Sequence, residues 1–181
     1  MTLDLHVPAG STGHDSLTVD ISAADAGWTY SGLRVAVLEA GESLALDTGD
    51  DELLVLPLAG GVDVETGGEV HRLTGRSGVF EGITDSLYVP RRTAMTLTSA
   101  AGGRFALPAA TAVRDLPVRY LGRDQVRTDL RGAGDCSRQV NNYALNNGVE
   151  TSHLLCCEVL TPGGNWSSYP AHKHDRRGAD E

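Results

Sequence analysis

Short apolar runs separated by glycine, proline and polar turns fill this chain, and no window of a dozen residues carries a convincing 3.6-residue period. The pattern predicts an all-β protein. Residues 33–38 and 52–58 are apolar runs of strand length, and Gly60-Gly61 is expected to close the second of them. Val62 and Val64 alternate with Asp63 and Glu65, and Thr66-Gly67-Gly68-Glu69 can turn the chain back through residues 70–73, which predicts a hairpin. Further short strands are predicted at 78–82, 86–90, 94–98 and 104–108, each bounded by Gly, Pro or polar residues.

Many short strands at spacings of roughly 8–12 residues point to a sandwich or barrel, and the paired strands around a Gly-Gly hairpin favour a jelly roll. Residues 1–110 are expected to hold that first barrel, its strands running from about residue 15. Residues 111–135 are richer in charge and carry Pro117, Gly122, Gly132 and Gly134, which predicts a linker with one strand near 118–121. Residues 136–181 then begin a second β unit, with strands expected at 138–143 and 153–160. A half barrel of this length would expose unpaired edges and half a core, so either a partner covers it or it is an incomplete piece.

Composition narrows the function. With 24 acidic against 15 basic residues and a net charge of -9, the surface should repel phosphate backbones, which argues against nucleic acid. No run approaches the roughly 18 apolar residues of a membrane helix, and the start lacks a basic stretch followed by an apolar one, so a cytoplasmic protein with no membrane partner is expected. Cys136, Cys156 and Cys157 are an odd number, and the adjacent pair would make a strained disulfide, which suits reduced thiols in a reducing compartment. Homo-oligomeric assembly is compatible with the chain. No Walker-type phosphate loop and no Gly-x-Ser-x-Gly elbow is present.

The chemistry concentrates in Trp166-Ser167-Ser168-Tyr169-Pro170-Ala171-His172-Lys173-His174-Asp175. On an extended segment residues two apart share a face, so His172 and His174 would present two imidazoles together, a donor pair suited to Zn, Mn, Fe or Ni. His6, His14, His71 and His153 stand singly, without ligand spacing. Gly49 to Glu52, where the first barrel would carry its own pair, offers carboxylates but no histidine, so that barrel is expected to be metal-free.

The segment from Leu160-Thr161-Pro162-Gly163-Gly164-Asn165 through Asp175 closely resembles the 5-deoxy-glucuronate isomerase family of myo-inositol catabolism, and the strand-rich region before it is similar to that family's amino-terminal half. The resemblance implies a bicupin, two jelly-roll barrels with the metal in the second, here truncated within that second cupin. It implies an intramolecular aldose-ketose isomerase that converts 5-deoxy-glucuronate to 5-dehydro-2-deoxy-gluconate with a divalent metal. His172 and His174 match the family's first two metal ligands; a glutamate and a later histidine complete its set. Glu181 reads as a loop residue and Asp175 as a loop acid or an acid beside the site. Two imidazoles alone hold metal weakly, so occupancy in a chain of this length is expected to be low.

The substrate carboxylate calls for an arginine, and Arg138, which opens a strand of the second unit, is the candidate, with a solvated surface arginine as the alternative. Trp166 and Tyr169 either wall a sugar pocket or simply pack. The catalytic base is not identifiable. Two other readings stand beside the isomerase: a truncated, catalytically incompetent cupin-like module for binding or assembly, and a cupin dioxygenase, which shares the H-x-H but not the Trp-Ser-Ser-Tyr-Pro before it.

Overall fold

A computed structural model describes residues 6–145 and 148–172. Six strands lie side by side in the order β1 (Leu17–Ile21), β2 (Ser31–Leu38), β8 (Gly103–Thr111), β4 (Asp51–Thr66), β6 (Ser86–Val89) and β9 (Arg119–Leu121). The second half of β4 leaves this sheet and pairs with β5 (Glu69–Arg76) and β7 (Ala94–Ser99), and β7 carries β3 (Glu42–Asp47) on its other side. Every pairing is antiparallel. A single helical turn, α1 (Ala23–Ala26), capped by Ser22, joins β1 to β2.

The 16 residues of β4 explain the jelly roll, because one strand serves both sheets. Gly60-Gly61 does not close the run, contrary to expectation. It is where the strand crosses between sheets, with register shifts at Pro57/Ala59 and Gly60/Val62. The crossing is so tight that a Cβ on Gly75 would lie 1.8 Å from the Gly60 carbonyl oxygen, and Gly75 sits at φ +67°. Farther along, the predicted hairpin forms with Thr66 opposite Glu69, and Gly67 and Gly68 adopt φ of 60° and 80°, the left-handed pair that a two-residue turn needs.

The apolar run at the start of β4 is continuous because both its faces are covered. Leu53 and Val55 enter the barrel core with Leu87, Leu97, Phe105 and Leu107. Leu54 and Leu56 face the opposite way, into a second cluster with Tyr88, Leu121, Val126, Tyr143 and Leu154. Each fully buried aliphatic side chain contributes about 1.5–3 kcal/mol.

The carboxyl-terminal third of the chain supplies the other side of that second cluster. β10 (Arg127–Arg131), β11 (Arg138–Ala144) and β12 (Cys156–Leu160) make a three-stranded antiparallel sheet, and Tyr143 and Cys156 pack from it into the second cluster. The three-stranded unit therefore rests on the outer face of the first barrel. Residues 111–135, expected as a linker, include β9, which pairs with β6, and β10, which pairs with β11; Leu121 and Val126 are buried. The strand expected near 118–121 is β9, and the charged composition of this stretch conceals β10.

Two predicted strands differ. Residues 78–82 are turns, with Phe80 85% exposed, and the carbonyls of Val79 and Gly82 accept from the Arg76 guanidinium instead of a neighbouring strand. Strand β12 starts at Cys156, not His153, because the amides of His153 and Leu154 are committed to the Glu52 carboxylate. The sequence pattern also passed over β1, β3 and β10.

Candidate metal-ligand segment and its supports

Beyond β12 the chain turns through Pro162 to Asn165, where the Asn165 N–H donates to Pro162 O at 3.1 Å. It is then tied to the turn that precedes β11: Trp166 N–H donates to Asp135 O at 2.7 Å, and the Asn165 carboxamide donates to Ser137 O at 2.8 Å. Trp166 and Tyr169 come next, edge to face with ring centres 6.3 Å apart, and they remain 51% and 65% exposed. These rings pack on each other rather than into a core.

His172 is exposed, with Nδ1 2.8 Å from Pro170 O. A carbonyl oxygen only accepts, so this contact requires the hydrogen at Nδ1, and the neutral ring then carries its lone pair at Nε2. That is one of the two tautomers through which an imidazole binds metal, with its other nitrogen held by backbone. The donor chemistry of His172 thus fits a divalent cation. His174, and with it Asp175 and Glu181, lies outside the described residues. Among the described residues no group of three or more His, Cys, Asp or Glu side chains is gathered closely enough to hold a metal ion.

Arg138 opens β11 opposite Arg131 of β10. Its Nη1 donates to Cys136 O at 3.1 Å. Both arginines line an open cleft of about 790 Å³, whose walls include Phe80, Leu130, Leu160 and Pro162. Trp166 and Tyr169 are not among the residues lining it. Arg131 is anchored by Asp129, which also takes Arg127 and Asn142. Partial desolvation works against ionising Asp129, but the hydrogen bonds from Arg131, Arg127 and Asn142 outweigh it and hold its carboxyl below the usual range.

The interior of the first barrel is filled by Leu53, Val55, Leu97, Phe105 and other apolar side chains. Glu52, one of the carboxylates at the position where a histidine pair would stand, shares a strand face with Leu54 and Leu56 and so points away from that interior. It is fully buried, and its two oxygens accept from Tyr88 Oη and from the backbone N–H groups of Ser152, His153 and Leu154 at 2.6–2.7 Å. Burial and the adjoining Glu52 carboxylate together push the Tyr88 phenol well above its ordinary value.

A second buried charge lies nearby. Arg76 and Glu158 pair at 2.5 and 3.0 Å with side chains 3% and 13% exposed, Arg76 also donating to Pro57 O and Asn141 to Glu158. Sequence reasoning missed Glu52, Arg76 and Glu158. The available signal was parity for Glu52, a charge on the same face as two leucines.

The single histidines are occupied elsewhere: His14 lies 3.8 Å from Asp20, His71 3.9 Å from Glu69, and His153 Nδ1 2.6 Å from Thr111 O, edge-on to Tyr30. All three cysteines are free thiols.

Two antiparallel sheets sharing a bent strand around an apolar core define a cupin-type jelly roll. The chain belongs to the KduI/IolB family, whose model matches residues 5–181. It is 34% identical over 174 residues to a 5-deoxy-glucuronate isomerase of Geobacillus kaustophilus, covering 95% of this chain and 63% of that protein. A 5-deoxy-glucuronate isomerase of Listeria monocytogenes is 35% identical over 160 residues, 87% of this chain and 59% of the relative. This chain therefore spans about 60% of the length of these relatives. The crystal structure of an IolB-like protein from Salmonella typhimurium superposes with a TM-score of 0.83 at 34% identity, over 91% of this chain and 63% of that one. The Ylba protein of E. coli shares the fold at 14% identity with a TM-score of 0.51, covering 80% of this chain and 63% of that one. Among the described residues no helix is long and apolar enough to cross a membrane.

Proposed function

We propose that this chain contributes to an intramolecular aldose-ketose isomerase acting on 5-deoxy-glucuronate and yielding 5-dehydro-2-deoxy-gluconate, with residues 1–110 as a metal-free first barrel and residues 136–181 as the start of the metal-bearing second. The observation that carries this reading is the match of nearly the whole chain, at 34% identity, to a 5-deoxy-glucuronate isomerase.

His172 is the first metal ligand of this reading, through Nε2, with Pro170 O holding its tautomer, and His174 is the second. A divalent cation bound there supplies Lewis acidity and a template for the carbonyl and the neighbouring hydroxyl of the sugar acid, worth several kcal/mol against the charge that develops on oxygen. Arg138 receives the substrate carboxylate, and its cross-strand neighbour Arg131 adds positive potential on the same cleft. Trp166 and Tyr169, with broad exposed faces close to His172 along the chain, shield one side of the sugar from water. Among the described residues no group of three or more His, Cys, Asp or Glu side chains completes a ligand set around His172.

The test is conversion of 5-deoxy-glucuronate by protein loaded separately with Zn, Mn, Fe or Ni and followed by NMR. Conversion that falls about 10–100-fold or more in His172→Ala, in step with lost metal affinity, supports the reading. Protein that holds metal through His172 yet converts nothing would make it a non-catalytic cupin module.

A further inference from the structure

The first barrel grips β12 at two points, and β12 leads directly into the segment that carries His172. At the entry, Glu52 Oε1 accepts the N–H groups of His153 and Leu154, and Oε2 accepts Ser152 N–H and Tyr88 Oη–H. Three successive amides can converge on one carboxylate only if the backbone curls around it, which sets where β12 begins. In the middle of the strand Glu158 takes Arg76, whose guanidinium is itself fixed by the carbonyls of Pro57, Val79 and Gly82. Two residues beyond Glu158 the strand ends, and residues 161–172 continue from it.

We propose that Glu52 and Arg76 are positioning residues, through which the first barrel sets the placement of the His172 segment. The barrel thus acts as the mount for the site rather than as a second, vacant copy of it. Where the inference concerns metal affinity, it rests on the reading that His172 is a ligand. Neither latch touches that residue, so any effect must travel along β12.

Glu52→Gln is a sharp probe. Each carboxylate oxygen accepts two donors, and a carboxamide replaces one oxygen with an NH2 group that cannot accept, so two contacts fail whichever way it is turned. In the intact chain, amide hydrogen exchange at 152–160 is expected to quicken at least about tenfold, and that at 161–172 to quicken measurably, while β3 and β7 on the far sheet stay unchanged. Glu158→Gln, on β12 itself, should give the same pattern if Glu52→Gln fails to fold. Titration with Ni²⁺, under conditions where urea titration shows every variant fully folded, should show several-fold weaker binding in either variant, with Arg76→Lys intermediate. Unchanged exchange at 152–172, or acceleration shared equally by β3 and β7, overturns the proposal. If the wild-type chain ignores Ni²⁺ but the exchange pattern appears, the ligand role of His172 fails while the mounting of the segment by the barrel stands.

Discussion

Arg76 and Phe80 lie four residues apart and show how poorly residue type alone predicts consequence. Arg76 is buried among acceptors, and removing it leaves the Glu158 carboxylate in a largely dry site with Asn141 as its remaining side-chain donor among the described residues. Arg76→Ala is therefore expected to destabilise by about 3–5 kcal/mol in urea titration. Phe80 is 85% exposed, and Phe80→Ser should change the same stability by less than about 0.5 kcal/mol. Residue type ranks these the other way, because a phenylalanine between glycines resembles a buried strand residue. Reactivity among the thiols divides similarly. Burial pushes Cys156 up to about 12 and raises Cys157 as well, but Cys157, its neighbour, is exposed on the opposite face. Brief alkylation at about pH 8 with mass spectrometry should modify Cys157 in the native chain and Cys156 only after unfolding; equal labelling would contradict the strand register.

Strands were legible wherever alternation and turn chemistry agreed. The β4–β5 hairpin came directly from two valines on one face and a Gly-Gly turn, and β6, β7 and β8 from short apolar runs with clear punctuation. Gly60-Gly61 misled because a glycine pair marks both a chain reversal and a strand that must pass close to another backbone. Only the three-dimensional neighbour, Gly75, separates the two. Gly75→Ala should cost more than about 2 kcal/mol by chemical denaturation, since the side chain would meet the Gly60 carbonyl and the residue would stay in the left-handed region. In the His172 segment, what could be read from sequence was the Trp-Ser-Ser-Tyr-Pro context that carries the family resemblance. Glu52, Arg76 and Glu158 could not, because their partners lie about 80 to 100 residues away.

At the scale of the whole molecule, the barrel and the three-stranded sheet share one apolar layer, so they should lose structure together. Three buried acids sit in or beside that layer. Burial raises Tyr143 and Cys156 to about 12, and burial with the Glu52 carboxylate raises Tyr88 further. In the unfolded chain such groups ionise near 9 for the thiol and 10 for the phenols, so the unfolded state binds fewer protons above those values. From neutral pH stability should be level up to about pH 9 and decline as pH rises toward about 12. Urea midpoints at about pH 8, 10 and 11 check this, and a flat profile would mean that the shared layer is wet.

On the reading proposed above, His172, on a segment mounted by the first barrel, is a metal ligand. Zinc K-edge absorption on the zinc-loaded protein addresses this most directly. Imidazole nitrogen scatterers are predicted at about 2.0–2.1 Å, diminishing in His172→Ala. A shell of oxygen alone, or one that is unchanged in the variant, would contradict that role.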